Sequence, residues 1–332
     1  MTETRFDSPR FDLLGIGNAI VDLVAQTPES FLSRHDLRKG GMTLIDAETA
    51  ERLTAALPDG EQIGGGSAAN TCAIAAGLGA RVAFLGKVAD DALGSAFRRD
   101  MAAIGVHAPT PPLRDGAPTA RCVIAVTPDG QRTMSTYLGA CVAFGEPDVD
   151  AGLVAQAAVL YLEGYLFDPP AAQAAFRRAA AAAHAAGRQV ALSLSDAFCV
   201  DRHRAAFRDL VRSDIDILFA NKAEVCSLYE IDTFEPAAER ARADVALACL
   251  TRSEQGSVLL RGAETAAIAA APARVLDTTG AGDAYAAGFL AAHAAGHDLQ
   301  ACGALAARVA AVVIGQVGAR PRGDLRRLHL SA

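Results

Sequence analysis

Asp277-Thr-Thr-Gly-Ala-Gly-Asp283 runs directly into Ala284-Tyr-Ala-Ala-Gly-Phe-Leu-Ala-Ala-His293, a stretch of small and apolar residues that predicts a buried helix beginning near Gly280. Glycine at such a helix start lets an anion approach the backbone, and the unpaired amides of the first turn, aided by the helix dipole, hold negative charge. An acid in that turn is placed to take a proton from an attacking hydroxyl while such amides hold the charge developing on a phosphoryl group in transfer. An acid in a first turn is also a common cap, and the bare Gly-x-Gly-Asp string favours that reading. The longer string favours Asp283 as a base. No Gly-Lys-Ser/Thr follows, so the segment is not a Walker loop, and no Gly-x-Gly-x-x-Gly follows the first strand, which argues against a dehydrogenase.

Outward from this helix, short apolar runs alternate with Ala-rich helical stretches. Phe11-Asp-Leu-Leu-Gly-Ile-Gly-Asn18 predicts a buried strand, and further strands are expected at Val82–Gly86, Val159–Glu163, Val190–Asp196, Ile215–Ala220, Ala246–Thr251 and Ser257–Arg261. Asp168 is expected to cap a helix over Ala171–Ala186, with Gly187 ending it. Strand–helix alternation implies an α/β fold with a doubly wound, mostly parallel sheet flanked by helices. Residues 23–46 and 106–137 break the rhythm. The second contains a turn at Thr127–Gly130 that predicts a hairpin of Cys122–Val126 with Arg132–Tyr137, so a small β lid is expected from these two insertions on a single domain over residues 1–332.

At 332 residues and 51% hydrophobic, the chain can build one large core with such an appendage. A net charge of −7 without a dense Lys/Arg cluster argues against nucleic acid as a partner. The basic run Arg320–Arg327 reads as a solvated tail. No apolar stretch approaches the roughly 18 residues that cross a bilayer, and Met1–Arg10 is polar and charged, unlike a signal peptide; a cytoplasmic protein is expected. Cys72, Cys122, Cys141, Cys199, Cys226, Cys249 and Cys302 are scattered without a Cys-x-x-Cys pair and read as small buried hydrophobes.

The string Asp277–Phe289 resembles the C-terminal signature of the PfkB, ribokinase-like carbohydrate and nucleoside kinases. Gly64-Gly-Gly-Ser-Ala-Ala-Asn-Thr-Cys-Ala-Ile-Ala-Ala-Gly-Leu-Gly79 with Phe84-Leu-Gly-Lys-Val-Ala-Asp-Asp-Ala-Leu-Gly94 resembles their N-terminal signature, and Asn221-Lys-Ala-Glu224 their Asn-x-x-Glu element. The resemblance implies an ATP-dependent kinase with Asp283 as general base, Gly280–Gly282 as anion hole, and Asn221 and Glu224 organising Mg²⁺ and phosphate-bound waters with no direct protein ligand to the metal. A monovalent cation such as K⁺ beside Asp277 and Thr279, as in some relatives, stays open, as does the choice between monomer and homodimer.

Asp22 follows the first strand, where open α/β sheets bind ligands, and its carboxylate could accept hydrogen bonds from two vicinal hydroxyls or belong to a surface turn. The resemblance implies the former, with Asn18, Gly65, Gly66 and Asn70 beside it on the acceptor. Gly15–Asp22 is closest to the adenosine kinase branch. Leu162-Glu-Gly-Tyr-Leu-Phe167 and Leu192-Ser-Leu-Ser-Asp-Ala-Phe198 resemble the segments that in that branch bring aromatics to the purine, which implies Tyr165 and Phe198 flanking a base; as residues alone they favour a core. Glu163 and Asp196 would add charge near that pocket, or cap helices. Arg132 of the hairpin either reaches the transferred phosphate or is solvated. The expected reaction is transfer of the ATP γ-phosphoryl group to a primary hydroxyl, first of all the 5′-hydroxyl of adenosine. A fructokinase or ribokinase type of sugar kinase is the alternative, and a catalytically silent nucleoside or sugar binder a further one.

Overall fold

The computed structural model describes residues 9–328, so residues 1–8 of the polar start lie outside the described residues. In chain order the first half carries β1 (Phe11–Ile16), β2 (Ile20–Gln26), α1 (Glu29–Arg34), β3 (Met42–Leu44), α2 (Ala47–Ala56), β4 (Glu61–Gly65), α3 (Ser67–Gly77), β5 (Val82–Leu85), α4 (Ala92–Ala103), β6 (Ala120–Val126) and β7 (Arg132–Tyr137). The second half carries α5 (Ala151–Ala155), β8 (Ala157–Glu163), α6 (Pro170–Ala185), β9 (Gln189–Ser193), α7 (Ala197–Asp214), β10 (Ile217–Asn221), α8 (Lys222–Tyr229), α9 (Phe234–Asp244), β11 (Leu247–Thr251), β12 (Ser257–Arg261), β13 (Glu264–Ile268), α10 (Ala281–Ala294) and α11 (Leu299–Ile314).

Eight strands form the main sheet in the order β13-β12-β11-β10-β9-β8-β1-β5, parallel from β11 through β5 and antiparallel in the β11-β12-β13 meander. Its strands read as continuous apolar runs because both faces are covered. Leu14, Ile16, Leu160 and Leu162 point into one core with α5 to α9, and Leu13, Val159 and Tyr161 into the other with α3, α10 and α11. The Gly/Ala composition of α10 lets α11 come close: a Cβ at Gly288 would stand 2.9 Å from Ala306 Cα. No helix among the described residues is long and apolar enough to cross a membrane. Six of the seven cysteines are buried and Cys226 partly so.

A second sheet has the order β3-β7-β6-β2-β4. The Cys122–Tyr137 hairpin is present, closed by Gly130 N–H donating to Thr127 O at 2.8 Å. The sheet differs from the expected insertions in two ways. It begins at Ile20 and recruits Glu61–Gly65, while residues 106–119 run instead along the main sheet, bridging His107 to Ala83 and Leu113 to Ala89. Only Gly17–Ala19 separates β1 of one sheet from β2 of the other, and Gly66 alone separates β4 from α3. Gly66 has φ of +97°, and a Cβ there would meet Asn18 O at 2.0 Å. Backbone strain and backbone contact therefore coincide, and Gly66→Ala is expected to destabilise the fold by about 3 kcal/mol or more, measurable as a lowered thermal midpoint.

Two local expectations fail. Asp168 does not cap α6, whose cap position is Pro169; its carboxylate instead accepts from Arg202 and His203 of α7, two donors that outcompete a helix start already pre-set by proline. Arg320 is not a solvated tail residue, for its guanidinium is folded inward among α3, α4 and β4. Strand β9 ends at Ser193, since Asp196 turns to cap α7 by accepting from Phe198 N–H at 2.7 Å.

Candidate active site

Helix α10 starts where the sequence placed it. Gly280 is its left-handed cap, with φ of +78° and a Cβ position 2.7 Å from Ala319 Cβ, so only glycine fits. Ala281, expected among the anion-binding amides, already donates its N–H to Thr278 O at 3.1 Å and so closes a turn. Gly282 is exposed, with no heavy atom within 4 Å of where a side chain would begin, and there an anion can come closest to the backbone.

Asp283 follows in the first turn. Its Oδ1 accepts from Ser67 Oγ at 2.6 Å and its Oδ2 from Asn70 Nδ2 at 3.3 Å, both from the N-terminal turns of α3. Removal from water pushes the carboxyl up to about 6, while these two bonds and the positive charge of Arg320 restrain the rise. Near neutral pH the group is therefore ionised, held at a set angle and close to titration, as a proton acceptor should be.

Asp22, on β2, lies across the cleft over Gly65, where a Cβ would come within 2.5 Å of Asp22 Oδ1. It too is pushed up to about 6 by desolvation, against the charges of Arg132 and Arg320. Both acids are hemmed in by protein but remain partly reachable by solvent, which is the position of groups lining a cleft rather than a core. Asn70, expected on the acceptor, faces both sides: Nδ2 to Asp283 and Oδ1 to Arg320.

Asn18 does not reach the cleft as expected. It is 3% exposed, and both its backbone N–H, at 3.2 Å, and its Nδ2, at 2.6 Å, donate to Glu163 Oε1. Glu163 also takes Ala68 N–H at 2.7 Å through Oε2, and burial raises its carboxyl to about 7. It is neither a pocket charge nor the cap of its own helix. It ties the end of β8 to the Gly17–Ala19 link and to the start of α3, the two places where the sheets join.

At the other end of the cleft, Arg132 of β7 donates through Nη1 to Asp277 Oδ2 at 2.8 Å, a pair with side chains 8% and 10% exposed. Gly318 N–H, at 2.8 Å, and Thr279 N–H, at 2.9 Å, complete the Asp277 carboxylate and keep it ionised below its usual range despite burial. Arg132 is thus not solvated, and it links the smaller sheet to the loop before α10. Asn221 caps α8, accepting from Glu224 N–H at 2.9 Å, while both oxygens of Glu224 accept from Asn221 N–H and Nδ2. Burial pushes Glu224 up to about 7.

The two aromatics part company. Tyr165 is partly buried and its phenol is raised by burial and by the nearby carboxylates of Asp196, Asp283, Glu224 and Glu163, so it stands between the α10 and α8 ends of the site. Phe198 is 68% exposed at the start of α7, with the Arg202 guanidinium 4.8 Å from its ring centroid, and no ring contact pairs it with Tyr165 among the described residues. Its ring points to solvent while Cys199 and Val200, the next residues of the same turn, are buried. Sequence reasoning misses Ser67 and Arg320 as site residues. Ser67 had a signal, its place directly after Gly64-Gly-Gly66 at a helix start, whereas nothing local distinguishes Arg320 from its solvated neighbours.

Known proteins resemble this chain along most of its length. A structure of adenosine kinase from Sinorhizobium meliloti is 50% identical, covering 96% of this chain and 98% of that one, with a TM-score of 0.88. A structure described as a probable sugar kinase protein from Rhizobium etli CFN 42 is 48% identical over 96% and 97% of the two chains, with a TM-score of 0.89. Adenosine kinase of Saccharomyces cerevisiae is 25% identical, covering 92% of this chain and 95% of its own length. The model of the pfkB family of carbohydrate kinases matches residues 37–324, a span that holds both glycine-rich segments, the hairpin and Asp283. The fold is ribokinase-like, and this chain belongs to the pfkB family of carbohydrate kinases.

Proposed function

We propose that this ATP-dependent kinase moves the γ-phosphoryl group of ATP to the 5′-hydroxyl of a purine nucleoside, adenosine first. The observation that carries the reaction is Asp283, ionised above about pH 6 and fixed by Ser67 and Asn70 at the mouth of α10. The likeness to the Sinorhizobium adenosine kinase along nearly the whole chain supports the acceptor.

In this reading Asp22 accepts the ribose hydroxyls and sets the 5′-oxygen toward Asp283. Asp283 takes the hydroxyl proton as the oxygen–phosphorus bond forms, ADP leaves, and the α10 amides around Gly280 and Gly282 hold the charge on the transferred group. ATP fits this end, since Gly282 leaves open space at a helix N-terminus. Magnesium would neutralise phosphate charge when bound. Among the described residues no cluster of three or more His, Cys, Asp or Glu could hold a metal, and Glu224 already serves Asn221, so the residues fit a hydrated ion carried by the phosphates, with Asn221 and Glu224 reaching its waters. The second sheet acts as a lid over the acceptor, hinged at Gly17–Ala19 and Gly66, and Arg132 draws it to Asp277, excluding the water that would otherwise accept the phosphoryl group.

A sugar acceptor is the second reading, favoured by the exposure of Phe198, which leaves a base with one aromatic neighbour rather than two. The test is ADP release with ATP and Mg²⁺ against adenosine, guanosine, inosine, cytidine, ribose and fructose. A purine nucleoside is expected to give the highest kcat/KM, and turnover with ribose or fructose alone would overturn the nucleoside reading.

A further inference from the structure

We propose that Arg320 is a positioning residue for phosphoryl transfer, locking the Asn70 amide in the one orientation that donates to Asp283. The inference rests on Asp283 being the base. Arg320 Nε donates to Asn70 Oδ1 at 2.9 Å, so the other end of the same amide, Nδ2, must face Asp283 Oδ2 at 3.3 Å. An amide flipped by half a turn would set its oxygen against the carboxylate, a repulsive contact. Asn70 alone has no preference between the two, and the guanidinium supplies it.

The guanidinium is itself fixed from three sides. Nη1 pairs with Asp100 of α4, Nη2 lies 3.8 Å from Met101 Sδ, and Gly64 leaves room for it, since a Cβ there would come within 2.8 Å of Nη1. Its side chain is 13% exposed, so the charge acts across protein rather than water. That charge holds down the carboxyls of both Asp22 and Asp283. The other titratable groups around this cluster are Arg132 beside Asp22, Glu163, Tyr161 and Tyr165 near Asp283, and Asp100 and Cys72 near Arg320. Arg320 therefore does two things that separate experimentally: orientation through Nε–H, and charge.

The test is the pH profile of kcat/KM for wild type, Arg320→Met and Arg320→Lys. Arg320→Met is expected to move the acid limb upward by about half a unit or more and to lower kcat about tenfold. Lysine keeps the charge but not the Nε–H, so the limb is expected to return most of the way while kcat stays depressed. If Arg320→Met does not fold, Asp100→Asn, which leaves the guanidinium charge less neutralised on its outer side, should move the limb downward by a smaller amount. For Arg320→Met, an unmoved limb with kcat near the wild-type value, or for Arg320→Lys a kcat restored to that value, overturns the inference; where only Asp100→Asn folds, an unmoved limb does so. Asp283→Asn separates the two levels: if it is inactive and Arg320→Met is unshifted, only the role of Arg320 falls, whereas near-normal turnover in Asp283→Asn removes the base itself.

Discussion

Asp283→Asn is expected to lower kcat by about two to four orders of magnitude, the range a positioned general base contributes, while nucleotide affinity stays within a few-fold of wild type. The amide retains an oxygen for Ser67 but cannot take the acceptor's proton, and the α10 amides proposed to bind phosphate are backbone groups the substitution leaves in place. In the wild type the active form is the carboxylate, whose native pKa is raised to about 6, so kcat/KM should be flat above that value and fall as pH drops through it. The stability consequence has the opposite sign. A carboxyl raised from 3.8 to about 6 on folding disfavours the native state when ionised, so its cost is present above about pH 6 and disappears as pH falls toward 4. Asp283→Asn should therefore melt no lower than wild type at pH 8, which separates loss of the base from loss of the fold. A variant that melts as wild type does and turns over normally would place the base elsewhere.

The trade of stability for a poised acid explains which parts of this molecule were legible in its sequence. The α10 start is encoded locally: a glycine that must adopt positive φ, small residues that let α11 approach, and an acid in the first turn each leave a mark within a dozen residues of Gly280. The main sheet is legible for a related reason, since strands buried on both faces must be apolar throughout. The partners of Asp283 are not local. Ser67 and Asn70 arrive from more than two hundred positions away, and Arg320 reaches them from a segment whose composition resembles a solvated tail. Charge density along a chain says how a segment behaves alone in water; it does not see Asp100 and the Asn70 amide waiting in the fold. Asn18 and Glu163 fail in the same way. Asn18 lies near Asp22 in sequence, but a buried carboxylate from β8 outbids the cleft for its donors, turning an expected substrate contact into part of the hinge. Phe198 is placed by likeness of sequence to an aromatic-bearing segment, and likeness alone does not say that its ring points to solvent.

Asp22→Ala should act on the other half of the reaction, and its effect should appear as lost discrimination. A site built to hydrogen-bond a substrate hydroxyl rejects the analogue lacking it by about four orders of magnitude, because the site's own polar group is then left without a partner in a desolvated place. Asp22 has the surroundings of such a group: raised to about 6 by loss of water, near the charges of Arg132 and Arg320, and backed by Gly65, where any side chain would push it aside. With the carboxylate gone, kcat/KM for adenosine is expected to fall about a hundredfold or more, mostly through KM, while the deoxy analogue loses far less because it never satisfied the acid fully. The ratio of the two should fall by about the same hundredfold. The same comparison works with ribose and deoxyribose if the acceptor is a sugar, so it reads the role of Asp22 independently of the base pocket. A ratio that stays at its wild-type value in Asp22→Ala would mean that the hydroxyls are held by other groups, and that Asp22 shapes the field around Arg132 and Arg320 without touching the acceptor.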